Sequence, residues 1–226
     1  MKQYNGEKAI ISLTSWKGRI KSVSKTIFSL LQNCPGFHIV IVLSEDEFPR
    51  KENELPDDLM TIINSDLIEL IWVKQNYKCF KKILFTMQKY PDVPIITADD
   101  GLIYIQNYAE KLYKNWLEDK TSIIVKEKWS NYGFSWGVGG QGIIFPPGCF
   151  NKFTKFTDFI LRTNHDDGLY GALAKKFNIK VKQAHVIKKQ ERVYYELIEG
   201  IRTGMGTHYP KMYNDKDIPK IYEEIK

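Results

Sequence analysis

Val93-Pro94-Ile95-Ile96-Thr97-Ala98-Asp99-Asp100-Gly101 carries a short β-branched apolar run directly into two acids and a glycine. A run of that length bounded by a turn signal predicts a buried strand. Three earlier runs have the same character: Ala9 to Leu13, Ile39 to Leu43 and Ile68 to Val73. Amphipathic stretches separate them. Val23, Ile27, Leu30 and Leu31 line one helical face before Pro35-Gly36, and Phe80, Ile83, Leu84 and Met87 line another before Pro91. Strands alternating with crossover helices predict an α/β class with a mainly parallel central sheet flanked by helices. In such sheets ligands collect at the carboxyl ends of the strands, which is where Asp99 and Asp100 fall.

Working outward, a helix is expected from about Ile105 to Asp119, turning Tyr108, Leu112, Trp116 and Leu117 towards the sheet. Residues 126–150 are rich in Trp, Tyr, Phe and Gly, a composition suited to a pocket wall, with Ile143-Ile144-Phe145 as a strand closed by Pro146-Pro147. Asn151 to Thr163 and Asp167 to Phe177 read as helices, and Ile179 to Ile187 alternates as a strand. That strand places His185 among packed apolar residues. From Lys188 onward Gly200, Gly204, Gly206 and Pro210 break any period, which predicts a wrapping tail that contains His208.

Composition narrows the function. The 226 residues are 43% hydrophobic, enough for one sizeable domain. The three cysteines, Cys34, Cys79 and Cys149, form no disulfide or zinc pattern. No apolar run approaches the roughly 18–20 residues that cross a bilayer, and no signal-peptide h-region is present, so a cytoplasmic location is expected. The formal charge of +6 suits an anionic partner. It is spread along the chain without a basic block, which favours a diphosphate-bearing small molecule over nucleic acid.

Two carboxylates at a strand end invite Mn²⁺ or Mg²⁺, which commonly bridges a carboxylate and substrate phosphates. Asp-Gly also marks tight turns, so the pair has a plainer explanation as well. Gly137-Val138-Gly139-Gly140-Gln141-Gly142 matches G-x-G-x-x-G spacing but is followed by strand and breaker instead of helix, which excludes a dinucleotide fingerprint. Trp129, Tyr132, Phe134 and Trp136 could stack on sugar faces, although large aromatics more often fill cores. Asp166 and Asp167 either cap a helix or act as acid–base groups.

Ile11-Ser12-Leu13-Thr14-Ser15-Trp16-Lys17-Gly18-Arg19-Ile20 resembles the opening of a family of bacterial capsule and surface-glycan glycosyltransferases with the GT-A fold. Leu43-Ser44, Phe48-Pro49, Leu55-Pro56, Phe80-Lys81-Lys82, Tyr90-Pro91-Asp92 and the acidic segment through Tyr104 follow in the family's order. The resemblance spans most of residues 8–175. It implies a GT-A-like catalytic domain over 1–187, with a nucleotide-binding half at about 8–104 and an acceptor half at about 121–187. Residues 188–226 become an extension packed on or near the site.

The resemblance also implies donor contacts from Thr14, Ser15, Arg19, Lys81, Lys82, Asp99, Asp100, Gly139 and Gly140, and metal binding by Asp99 and Asp100. Acceptor contacts would come from Trp129 and Trp136, and a general base from Asp166 or Asp167. The expected partners are a nucleotide-sugar donor and a glycan or lipid-linked glycan acceptor, met by peripheral contact with the inner membrane. The family usually has three consecutive acids, and Gly101 stands in the third place here. The diphosphate is therefore to be neutralised either by a metal on the remaining acids or by Lys17, Arg19, Lys81 and Lys82, whose ordinary place is a solvated helix face or loop. A sugar-phosphate nucleotidyltransferase would need a glycine-rich loop after the first strand, where only Gly18 occurs. A non-catalytic sugar-nucleotide or glycan-binding module is the other alternative, and Gly101 is the residue that favours it.

Overall fold

The computed structural model describes residues 2–131, 133–151, 166–187, 193–196 and 223–224. The helix expected over 151–163 lies outside these residues, apart from Asn151, as do Tyr132, His208 and most of the expected tail.

The four strands predicted from continuous apolar runs all form: β1 (Ile10–Thr14), β2 (His38–Ser44), β3 (Glu69–Val73) and β4 (Ile95–Thr97). Three more join them: β6 (Ile123–Val125), β9 (Ile143–Phe145) and β10 (Val181–Gln183). One seven-stranded sheet results, in the order β10-β6-β9-β4-β1-β2-β3. β1 pairs in parallel with β2 and β4, β2 with β3, and β6 with β10, while β9 runs antiparallel between β4 and β6. β2 is buried along its whole length, as a strand covered on both faces must be, and this is why its sequence does not alternate.

The crossover between β1 and β2 is α1 (Val23–Asn33), whose Val23, Ile27 and Leu30 are fully buried. Each such side chain contributes about 1.5–3 kcal/mol. α3 (Lys81–Lys89) buries Ile83 and Met87, and α4 (Tyr108–Glu118) buries Tyr108, Leu112 and Trp116. Leu117 is 43% exposed, contrary to expectation. At about 100° per residue it lies opposite Tyr108, whereas the other three share one stripe. α2 (Asp57–Asn64), between β2 and β3, was not expected, nor was β6.

β10 is also shorter than the alternation implied. Pairing ends at Gln183 and the chain bends, so His185 is not packed in the core. Its side chain is exposed, 3.4 Å from Glu118. Two small sheets complete the described structure. β7 (Lys128–Asn131) and β8 (Phe134–Gly137) form a hairpin, and β5 (Leu102–Tyr104) pairs antiparallel with β11 (Tyr194–Glu196). α5 (Asp166–Lys176) buries Leu169 and Leu173. Among the described residues no helix is long and apolar enough to cross a membrane.

Candidate active site

Four parallel strands present their carboxyl ends along one edge of the sheet, and the loops leaving them converge there. Thr14, Ser15, Trp16 and Arg19 follow β1, Glu47 follows β2, Asn76 follows β3, and Asp99 and Asp100 follow β4. All of them line one cleft of about 300 Å³. Because β9 is antiparallel, its amino end reaches the same edge and brings Gly139 and Gly140 with it. Lys81 and Lys82 from the start of α3, Asp166 and Asp167 from the first turn of α5, and Tyr194 from β11 complete the wall.

The two strand-end acids have different surroundings. Asp100 is buried and accepts hydrogen bonds from Ser15 Oγ at 2.7 Å and Arg19 Nη1 at 2.9 Å. Burial raises its carboxyl above the ordinary aspartate value, partly opposed by Arg19 and Ser15. Asp99 is 38% exposed in its side chain and pairs with Lys82 Nζ at 2.7 Å. Its backbone N–H donates to Tyr104 Oη at 2.8 Å.

Neither lysine lies on a solvated face. Lys81 Nζ donates to Glu47 Oε2 at 2.6 Å and Asn76 Oδ1 at 2.9 Å, and burial lowers its pKa against the pull of Glu47. The Lys82 side chain is 4% exposed, and its Nζ lies between Asp99 and Asp166, 3.4 Å from the latter. Burial would depress this ammonium, but Asp99, Asp166 and Asp167 together outweigh it and hold Lys82 well above the ordinary lysine value. Asp167 differs from its neighbour. Both of its oxygens accept the Gly139 N–H at 3.1 Å, and burial followed by the Asp166 charge pushes its carboxyl far up.

The Gly139-Gly140 turn is pinned against this cluster. Thr97 Oγ1 donates to the Gly139 carbonyl at 3.1 Å, and Tyr104 Oη to the Gly140 carbonyl at 3.2 Å. A Cβ on Gly140 would stand 2.5 Å from Asp99 Oδ2, so any side chain there would push the Asp99 carboxylate aside.

The structure brings together every expected donor, metal and acid–base residue, but not the two tryptophans. Trp129 is 52% exposed on the β7–β8 hairpin, and Trp136, opposite it, packs on Phe134 and Gly171; neither lines the cleft. Aromatics on a hairpin face outward or against α5, and the hairpin does not fold over the sheet edge. The cleft's own aromatics are Trp16 and Tyr194. Trp16 lay inside the quoted opening motif, and its indole lies where a Cβ on Gly18 would come within 2.4 Å. Lys17, a candidate for phosphate charge, instead pairs with Glu54 at 3.2 Å and is not a lining residue. Glu47 and Asn76 were missed, although each follows a predicted strand, where the strand-end rule directs attention.

As for a metal, Asp100 is taken up by Arg19 and Ser15, and Asp99 already faces an ammonium. Among the described residues no group of three or more His, Cys, Asp or Glu side chains is arranged to hold an ion. The described residues therefore do not by themselves form a protein-held divalent site.

No protein-family model matches the sequence, and no curated protein matches it. Solved structures do share the fold. S. aureus TarS is 10% identical, with 84% of this chain and 36% of that one covered and a TM-score of 0.56. TarS 1-349 in complex with UDP is 11% identical, covering 82% and 59%, with a TM-score of 0.56. The mannosyltransferase PcManGT from Pyrobaculum calidifontis, in complex with GDP-Man and Mn²⁺, is 10% identical, covering 80% and 55%, with a TM-score of 0.52. This chain thus spans between about a third and three fifths of the length of these proteins. At such identity the likeness establishes the fold, which is the GT-A-like α/β architecture expected from the sequence.

Proposed function

We propose that the chain transfers a sugar, of the hexose or a related type, from a nucleotide-diphosphate donor to a hydroxyl of a surface polysaccharide or other glycan. The observation that carries this reading is the single cleft joining Arg19, Lys82, Asp99, Asp100 and the Gly139-Gly140 turn to the late acids Asp166 and Asp167. Fold neighbours in complex with UDP and GDP-Man support a nucleotide-sugar donor. In this reading residues 8–104 form the donor half and 121–187 the acceptor half. The 188–226 extension contributes Tyr194 to the wall, and the acceptor is a glycan or lipid-linked glycan, met by peripheral contact with the inner membrane.

The chemistry follows from the charges. A leaving nucleoside diphosphate develops negative charge, and a preorganised cation in a site of low water content stabilises it most. The acceptor hydroxyl needs a base within hydrogen-bond reach. Asp166 suits that role better than Asp167. Among the described residues its Oδ2 has no hydrogen bond beyond the ion pair with Lys82 Nζ at 3.4 Å. Asp167 is turned onto the Gly139 N–H and its carboxyl is held towards the protonated form, so it positions the turn. Direct attack by a hydroxyl deprotonated at Asp166 inverts the anomeric centre.

The test is turnover of UDP- and GDP-sugar panels by wild type, Asp166→Asn and Asp167→Asn. The expected result is a loss of about 10²–10⁴-fold in kcat for Asp166→Asn, the range of a general base, with a smaller loss for Asp167→Asn. Undiminished turnover in both variants would remove the base assignment. Donor binding without turnover against any acceptor would make the chain a binding module.

A further inference from the structure

Lys82 lies where a divalent ion bridging Asp99 and Asp166 would have to sit. Its Nζ is 2.7 Å from Asp99 Oδ1 and 3.4 Å from Asp166 Oδ2, with the side chain 4% exposed. The backbone holds it there, because Lys82 lies in the first turn of α3 and its carbonyl accepts the Ser12 hydroxyl at 2.5 Å from the neighbouring strand. The lid over it is equally close, since a Cβ on Gly139 would come within 3.4 Å of Nζ and 3.0 Å of Asp167 Oδ1. A small divalent ion needs oxygen ligands at about 2.0–2.1 Å and tolerates no fixed like charge among them. The acid that could otherwise have joined is committed, with Asp100 held by Arg19 and Ser15. Lys78, whose backbone adopts φ 50°, lines the same cleft and adds positive charge at its rim.

We propose that Lys82 is the resident cation of this site, taking the place of a divalent metal, so that the chain engages the donor diphosphate through its own ammonium. The proposal rests on the sugar-transfer reading for the identity of the ligand, but not for the exclusion of metal. It also makes an uncommon forecast: removing the lysine should create a metal site, because Asp99 and Asp166 would then face one another across an empty position.

Three measurements decide it. Calorimetry of UDP and GDP on wild type, in EDTA and in millimolar Mn²⁺, should give affinities that agree within about threefold. Water-proton relaxation should detect no Mn²⁺ binding to wild type or Lys82→Arg, and clear binding to folded Lys82→Ala that disappears in Lys82→Ala/Asp99→Asn. Loss of nucleotide affinity by more than about tenfold in EDTA would overturn the proposal. So would Mn²⁺ binding to wild type that Asp99→Asn abolishes, or a folded Lys82→Ala that gains none. If Lys82→Ala does not fold, the two wild-type measurements decide. If neither nucleotide binds under either condition, the donor reading fails while the Mn²⁺ measurements still judge the cation assignment.

Discussion

Glu69 offers the sharpest quantitative test of the charge reasoning, because it and His38 are buried and no member of the network lines the cleft. It opens β3 with a side chain 3% exposed, and accepts hydrogen bonds from His38 Nε2, Lys89 Nζ and Tyr90 Oη, each at 2.6 Å. Burial alone would raise its pKa, but the three donors overcome this and bring it from 4.5 down to about 2. At about 1.4 kcal/mol per pH unit the difference amounts to about 3 kcal/mol, an upper figure because Lys89 is half exposed. A depressed folded-state pKa means that this stabilisation is fully present above pH 4.5 and is lost as the pH falls towards about 2. The perturbation is Glu69→Gln, and the assay is urea unfolding of both proteins from pH 7 to the lowest pH at which wild type stays folded. Wild type should exceed the variant by about 2–3 kcal/mol at neutral pH, and the gap should close steadily below pH 4.5. A gap that stays constant down to about pH 3, or one under about 1 kcal/mol at pH 7, would refute the account.

Two further outcomes concern the cleft. Arg19→Met leaves the buried Asp100 without its counter-ion, which should cost about 3–5 kcal/mol and lower the melting temperature by about 6–20 °C. A fall of less than about 2 °C in a thermal melt would show that the pair is not structural. Gly140→Ala places a methyl 2.5 Å from Asp99 Oδ2 and forces that carboxylate off Lys82. Stability should drop by only about 1 kcal/mol, since the clash is with the end of a movable side chain. Transfer should nonetheless fall at least about tenfold, and unchanged transfer kinetics would mean that the Asp99–Lys82 contact is not used.

The sheet's parallel half was legible because strands covered on both faces are continuous β-branched runs, as at Ile39–Leu43. α2 escaped notice because its eight residues follow a charged stretch, and only Leu59, Ile62 and Ile63 are buried. β6 is a three-residue element whose assignment depends on partners far along the chain. The candidate site was readable where chemistry sits at strand ends, as for Asp99, Asp100 and Arg19. Lys81 and Lys82 read locally as a helix face exposed to solvent, since nothing near them in sequence announces Glu47, Asp99 or Asp166. Trp129 and Trp136 misled for the converse reason. Their aromatic character was plain, but its direction is fixed by the β7–β8 hairpin and the Gly171 contact.

The pairing of β11 with β5 has a consequence for how the protein comes into being. Tyr194 lies opposite Tyr104 in that ribbon, directly after the Asp99-Asp100-Gly101 loop. A ribosome adding 5–20 residues per second would release the two partners roughly 5–20 s apart. Within that interval the Gly139-Gly140 turn, then Asp166 and Asp167, and last Tyr194 join the strand-end acids. Strands β6, β9 and β10 arrive in the same interval, so the sheet and its cleft are finished together.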